Sequence, residues 1–147
     1  MIIENPEGGT IVISSKTRLR VRYAETDQMG IVYHANYLVW FEVGRTELFR
    51  KLDLPYTQFE EQGIGLAVIE ANCHYRKPSR YDDDLVIITE LDHVSSRSAR
   101  FNYHVYREET LLAEGKTVHV FVNKEGQLTN ARHYPIWARL QVIAAKM

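Results

Sequence analysis

The chain has 147 residues, 45% of them apolar, a formal net charge of -1 and a single cysteine, Cys73. That length fits one domain, 1–147, with its own core; the near-neutral balance argues against a nucleic-acid partner, and one cysteine excludes an intramolecular disulfide framework. No apolar run approaches the roughly 20 residues of a transmembrane segment, and the start Met1-Ile2-Ile3-Glu4-Asn5-Pro6 lacks the basic and apolar parts of a signal peptide, so a cytoplasmic protein is expected.

Residues 1–16 contain Pro6 and Gly8-Gly9 and read as an N-terminal extension with one short strand at Thr10–Ile13. Over 17–23, Leu19, Val21 and Tyr23 alternate with Arg18, Arg20 and Arg22, the period of a half-buried strand with a solvated arginine face. The next stretch, 24–36, places Asp27 on a turn with Gly30, before an apolar helix. Glycine permits backbone angles closed to other residues, and the first amides of a helix are unpaired and partly positive. A carboxylate facing such amides can do acyl chemistry, one group supplying or activating a nucleophile and the other holding the oxyanion. It can equally cap the turn or the helix. Both readings stand on spacing alone.

From Tyr37 to Leu54, Tyr37, Phe41, Gly44, Leu48 and Leu52 recur at helical intervals, and Leu38, Trp40 and Val43 make the first turns apolar nearly all round. Such a helix is expected to be buried on several sides. Pro55 is expected to end it, with Glu47 and Lys51 paired across one turn and a further helical turn over 57–62. The remainder reads as strands over 64–76, 85–94, 97–107 and 111–123, a sequential antiparallel meander. Val118, Val120 and Val122 fall on one face of the last strand, with His119 and Phe121 on the other. Both faces are thus expected to be covered, one by the helix and the other by a partner subunit or the C-terminal segment. Ile136, Leu140 and Ile143 predict a C-terminal helix over 134–146. The sum is an α+β fold, an antiparallel sheet around a buried helix.

The chain has no Gly-x-Ser-x-Gly elbow and no phosphate-cradling glycine loop. Its six histidines show no metal spacing, and Cys73 and His74 point to opposite faces of a strand. No metal and no cofactor are expected. His34, at the helix start, is a candidate acid-base group. Asn36 and Tyr37 are expected to fix the turn and the helix start. Glu42 is a second carboxylate, expected to bond Arg45. Tyr23, Tyr33, Trp40 and Phe59 belong either to the core or to an acyl pocket.

The ordered residues Arg22-Tyr23, Glu25-Thr26-Asp27, Gly30, Val32-Tyr33, Asn36-Tyr37, Phe41-Glu42, Arg45 and Glu47 resemble the signature of the 4-hydroxybenzoyl-CoA thioesterase family of hotdog-fold proteins. The likeness runs from about residue 17 to 124, and is strongest to the bacterial acyl-CoA thioesterase branch that includes the Tol-Pal-associated enzyme. Glu25 departs from the aspartate common in relatives. The resemblance implies an acyl-CoA substrate, hydrolysed to free acid and CoA, with Asp27 as nucleophile or general base. It places His34, a histidine in some close relatives too, where its backbone amide polarises the thioester carbonyl, with a supporting role left open to its side chain. For the coenzyme it points to the turn holding Arg97, where Ser95 and Ser96 replace other basic positions, with Lys77 and Arg80 as the alternative cations. It further implies a homo-oligomer, dimer or tetramer, whose active sites draw on two subunits. An acyl-carrier-protein thioesterase and a non-catalytic acyl-CoA-binding module are the competing readings.

Overall fold

The computed structural model describes residues 2–3 and 11–147. It contains β1 (Ile2–Ile3), β2 (Val12–Arg20), α1 (Asn36–Lys51), α2 (Tyr56–Glu61), β3 (Gly65–Tyr75), β4 (Asp84–Val94), β5 (Ser98–Arg107), β6 (Thr110–Val122) and α3 (Trp137–Lys146), with 3-10 turns at Tyr23–Glu25 and Ala131–His133. The strands form one antiparallel sheet in the order β1-β2-β4-β5-β6-β3, wrapped around α1. This is the expected α+β hotdog fold.

β2 corrects the boundary of the first strand. It begins at Val12, so residues 12–16 belong to the sheet rather than to an extension, while residues 1 and 4–10 lie outside the described residues. Ile13 pairs with Leu91 and both are buried, which extends the inward row beyond Leu19. The strand stops at Arg20, and Tyr23 is 78% exposed on the 3-10 turn rather than inward on a strand.

The meander holds for β4, β5 and β6 but not for β3, which pairs with β6 at the far edge while β2 takes the place beside β4. α1 packs on β2 and β4 and carries the chain across the inner face, so the next strand enters from the opposite side. The loop after β3 then crosses back over the strand ends. Arg76 and Lys77 amides donate to the Leu112 carbonyl (2.7 and 3.1 Å), and the Arg107 guanidinium bonds Asp83 at 2.9 Å.

α1 ends at Lys51, short of Pro55, because Asp53 turns the chain at φ 58; Pro55 instead precedes α2. Glu47 pairs with Arg50, while the Lys51 ammonium donates to the Lys16 carbonyl (3.0 Å). Tyr37, Trp40, Phe41, Gly44 and Leu48 form the buried stripe. Gly44 is needed there, since a Cβ would collide with Thr89 Oγ1. The helix is not buried all round in one protomer: Leu38, Val39 and Val43 are exposed.

α3 does not cover the outer face of the sheet. It packs at the far end of α1 and α2, where the Ile136 amide donates to Gln62 Oε1 (2.8 Å) and Arg139 to the Asp53 carbonyl (2.6 Å). The outer face mixes Val86, Ile88, Val118 and Val120 with Lys16, Glu90, Asn102, Glu114 and Lys116, all but Lys16 half-buried.

On the inner face His119 is fully buried, and its Nε2 shares a 2.7 Å hydrogen bond with Thr117 Oγ1, which also bonds the Tyr103 hydroxyl at 2.6 Å. Its Nδ1 has no partner among the described residues. Burial, assisted by the Arg45 charge, pulls its pKa down to about 4, from 6.5. The unfolded chain therefore binds the additional proton below pH 6.5. The stabilisation is fully present above that value and is lost as pH falls toward 4. We expect a loss of about 3 kcal/mol between pH 7 and 4 from this group. Urea titrations should show that loss shrinking in His119→Gln; an unchanged slope would place the acid sensitivity elsewhere.

Candidate active site

The Asp27 turn is a tight hairpin. The Asp27 amide donates to the Ile31 carbonyl (2.9 Å), the Gly30 amide returns to the Asp27 carbonyl (3.0 Å), and Thr26 bridges Val32. Gly30 sits at φ 77, the left-handed region glycine supplies. Asp27 Oδ1 accepts the Met29 amide at 2.8 Å, so one oxygen caps the turn. Its Oδ2 has no partner among the described residues, and the side chain is only half-buried. Capping and chemistry are therefore compatible at this residue.

The hairpin is tied to the start of α1. The Glu25 carbonyl accepts the Tyr33 amide (2.8 Å) and Asn36 Nδ2 (2.9 Å), and the Val32 amide donates to the Ser79 carbonyl (2.9 Å). The Tyr37 hydroxyl meets Ser79 Oγ at 2.7 Å. Asn36 and Tyr37 thus fix the turn and the helix start. The amides of His34 and Ala35, just ahead of α1, make no hydrogen bond among the described residues. They add to the partial positive charge of the helix start.

Beside them is a cleft of about 320 Å³ lined by Ile31, Val32, His34, Tyr37, Tyr75 and Arg76-Lys77-Pro78. The His34 imidazole is exposed and lies tilted against the Tyr33 ring, with centroids 4.5 Å apart, and its carbonyl accepts the Tyr75 hydroxyl at 2.8 Å. Burial, then the neighbouring Cys73, pushes Tyr75 up to about 12. Burial likewise raises Tyr37 and Cys73. This wall therefore stays uncharged at neutral pH, and Lys77 and Arg76 are the cations at its rim. The larger cleft, of about 640 Å³ between α1 and α3, lies at the other end of α1 and holds none of these groups.

The fold brings Asp27, the His34 amide and Lys77 to one end of the sheet. Arg80 is exposed nearby, its amide bonded to Asp83 Oδ2 (2.9 Å). Ser95, Ser96 and Arg97 lie at the opposite end, on the β4–β5 turn; β4, of 11 residues, separates them from Asp27, a span of about 35 Å. Ser95 Oγ accepts the Arg97 and Ser98 amides, both at 3.2 Å, and the Ser96 carbonyl accepts the Ala131 amide (2.7 Å). These serines build the turn, and the exposed Arg97 side chain has no partner among the described residues. One protomer does not join Arg97 to Asp27. Glu42 is exposed, and no bond between it and Arg45 occurs among the described residues, contrary to expectation.

Three contributors escaped the sequence reading. Ser79 is fully buried within a charged loop, Tyr75 ends a strand, and Glu25 has its carboxylate bonded by Trp40 Nε1 (2.7 Å) and the Arg22 amide (2.8 Å). Only the motif around Glu25 marked any of these positions. Among the described residues no group of His, Cys, Asp and Glu could hold a metal ion.

Residues 21–141 match the family model of the thioesterase-like superfamily. The chain is 40% identical to a putative acyl-CoA thioesterase of Bacillus subtilis, over 84% of this chain and 91% of the relative. It is 33% identical to an acyl-CoA thioester hydrolase of Escherichia coli, over 71% of this chain and 79% of the relative. A solved DHNA-CoA thioesterase from Staphylococcus aureus superposes with a TM-score of 0.83 at 30% identity, covering 90% of this chain and 91% of the other.

Proposed function

The chain belongs to the thioesterase-like superfamily, and we propose that it is a cytoplasmic thioester hydrolase that converts an acyl-CoA to free acid and CoA at Asp27. The observation that carries this is a free carboxylate oxygen on Asp27 and an unpaired amide on His34, carried by one hairpin that is tied to the start of α1. The thioester carbonyl oxygen accepts from that amide, where a developing negative charge is stabilised. Asp27 then follows one of two routes. As nucleophile it attacks the carbonyl carbon, the C–S bond breaks, CoA leaves as thiolate and takes a proton, and water hydrolyses the mixed anhydride. As general base it removes the proton from a water that attacks the same carbon. Label in the Asp27 carboxylate after several turnovers in ¹⁸O-water identifies the first route, with water attacking the Asp27 carbon of the anhydride, since the general-base route leaves that carboxylate unlabelled. Neither route requires a cofactor. The relatives' names support CoA over a carrier protein as the thiol; comparing the two esters of one acid tests that preference. No helix among the described residues is long and apolar enough to cross a membrane.

The active unit in this reading is a homo-oligomer, at least a dimer and as a tetramer a pair of such dimers. β3 is an edge strand of 11 residues, and Val68 and Ile69 on it are 48% and 61% exposed beside the uncovered Leu38, Val39 and Val43 of α1. A long edge with adjacent apolar surface is a template for a further strand. Antiparallel pairing of two β3 edges swings the second copy's β4–β5 turn to the end of the sheet where this copy's Asp27 sits. Arg97 then serves the neighbouring site. Arg97→Ala is expected to raise KM for acyl-CoA several-fold or more while kcat changes little, because a contact to a remote phosphate supplies uniform binding. An acyl-pantetheine ester, which lacks the nucleotide phosphates, should not distinguish variant from wild type. Equal impairment on both esters would shift the coenzyme contacts to Lys77 and Arg80.

A further inference from the structure

We propose that Glu25 is a positioning residue that, through Trp40, sets the Asp27 turn against the helix-start amides; this rests on the hydrolase reading above. Glu25 is a charged side chain only 5% exposed, two residues before Asp27. Both carboxylate oxygens are engaged, Oε1 by the Arg22 amide at 2.8 Å and Oε2 by the indole Nε1 of Trp40 at 2.7 Å. The exposed Arg22 guanidinium stands 3.6 Å from Oε1. A buried carboxylate is tolerated where every bond is made, and losing one partner leaves an acceptor stranded away from water.

The consequence is geometric. Trp40 is 2% exposed on the first turns of α1 and packs on Tyr37 at 4.6 Å, and Tyr37 is bonded to Ser79. Glu25 is therefore bolted to a rigid part of the helix. Its own carbonyl receives the Tyr33 amide and Asn36 Nδ2, the segment that presents the His34 amide. One residue thus fixes the spacing between the two groups assigned to the chemistry: the turn carrying Asp27 through its side chain, and the oxyanion-binding segment through its carbonyl.

Glu25→Gln retains size but turns one acceptor into a donor, which must face either the Arg22 amide or the indole N–H. Trp40→Phe strands Oε2. Each is expected to lower kcat about ten- to a hundredfold with KM within about twofold, the signature of a displaced reacting group rather than of lost binding. The double variant removes the indole and gives the amide nitrogen no donor to oppose. Its kcat should lie near that of the better single variant, well above the product of the two losses. Amide hydrogen exchange provides a readout independent of turnover. In either single variant Met29 and Tyr33 should exchange at least about tenfold faster while β5 and β6 amides keep their protection.

Multiplying losses in the double variant, a loss confined to KM, or wild-type kcat in Glu25→Gln would each overturn the positioning role. Faster exchange in β5 and β6 as well would reduce Glu25 to general stability and overturn it too. If the wild type hydrolyses no thioester, the hydrolase reading fails, and the exchange rates of Met29 and Tyr33 still decide whether Glu25 holds the turn.

Discussion

Asp27→Asn should fold normally and hydrolyse acyl-CoA about a hundred to ten thousand times more slowly than wild type. The amide oxygen can still accept the Met29 amide, which Asp27 Oδ1 now holds at 2.8 Å, so the turn keeps its cap. The free oxygen becomes an NH₂ group that neither attacks a carbonyl nor removes a proton from water. KM should change little, since the proposed coenzyme contacts lie on other residues. Circular dichroism and thermal unfolding check the fold, and steady-state kinetics check the loss. Near-normal activity in a well-folded variant would remove Asp27 from the mechanism.

The second large effect concerns assembly. Val39→Asp together with Ile69→Asp places like charges on the exposed apolar surface of α1 and β3, where those residues are now 49% and 61% exposed. Their contacts inside the protomer are few, so the isolated fold should survive. Across paired β3 edges the carboxylates face an apolar surface and one another, and burying unpaired charge is costly. Sedimentation should show a monomer, and acyl-CoA hydrolysis should fall at least about a hundredfold, because one protomer leaves Arg97 at the far end of the sheet and the cleft beside His34 without the second copy. A fully active monomer, in the variant or in the wild type at assay concentration, would contradict the shared-site account.

Much of this arrangement is legible in the sequence, and the gaps have physical reasons. The α1 stripe from Tyr37 to Leu48 follows the helical period, and β4 and β5 alternate along their length, so those element types could be read directly. Gly30 marked the hairpin, whose left-handed residue it supplies. The place of β3 was hidden because strand order depends on how α1 lies across the sheet, which periodicity does not encode. Pro55 misled in the same way: it forbids helix continuation, yet Asp53 had already turned the chain. The candidate site was half visible. Asp27 and His34 are 7 positions apart on a recognisable motif, whereas the ties that hold them, Glu25 to Trp40 across 15 residues and Tyr37 to Ser79 across 42, join elements that only the fold makes neighbours. The separation of Arg97 from Asp27 along β4 likewise needed the strand direction.

The most direct test of the central claim is thiol release from a panel of short, medium, long and aryl acyl-CoA esters by the wild-type protein, with Asp27→Asn run beside it. The account predicts turnover of at least one ester with kcat/KM in the ordinary enzymatic range, about 10⁴ M⁻¹s⁻¹ or above, and near-complete loss of that turnover in the variant. Binding of acyl-CoA without turnover of any ester would contradict it and leave a thioester-binding module in place of a hydrolase.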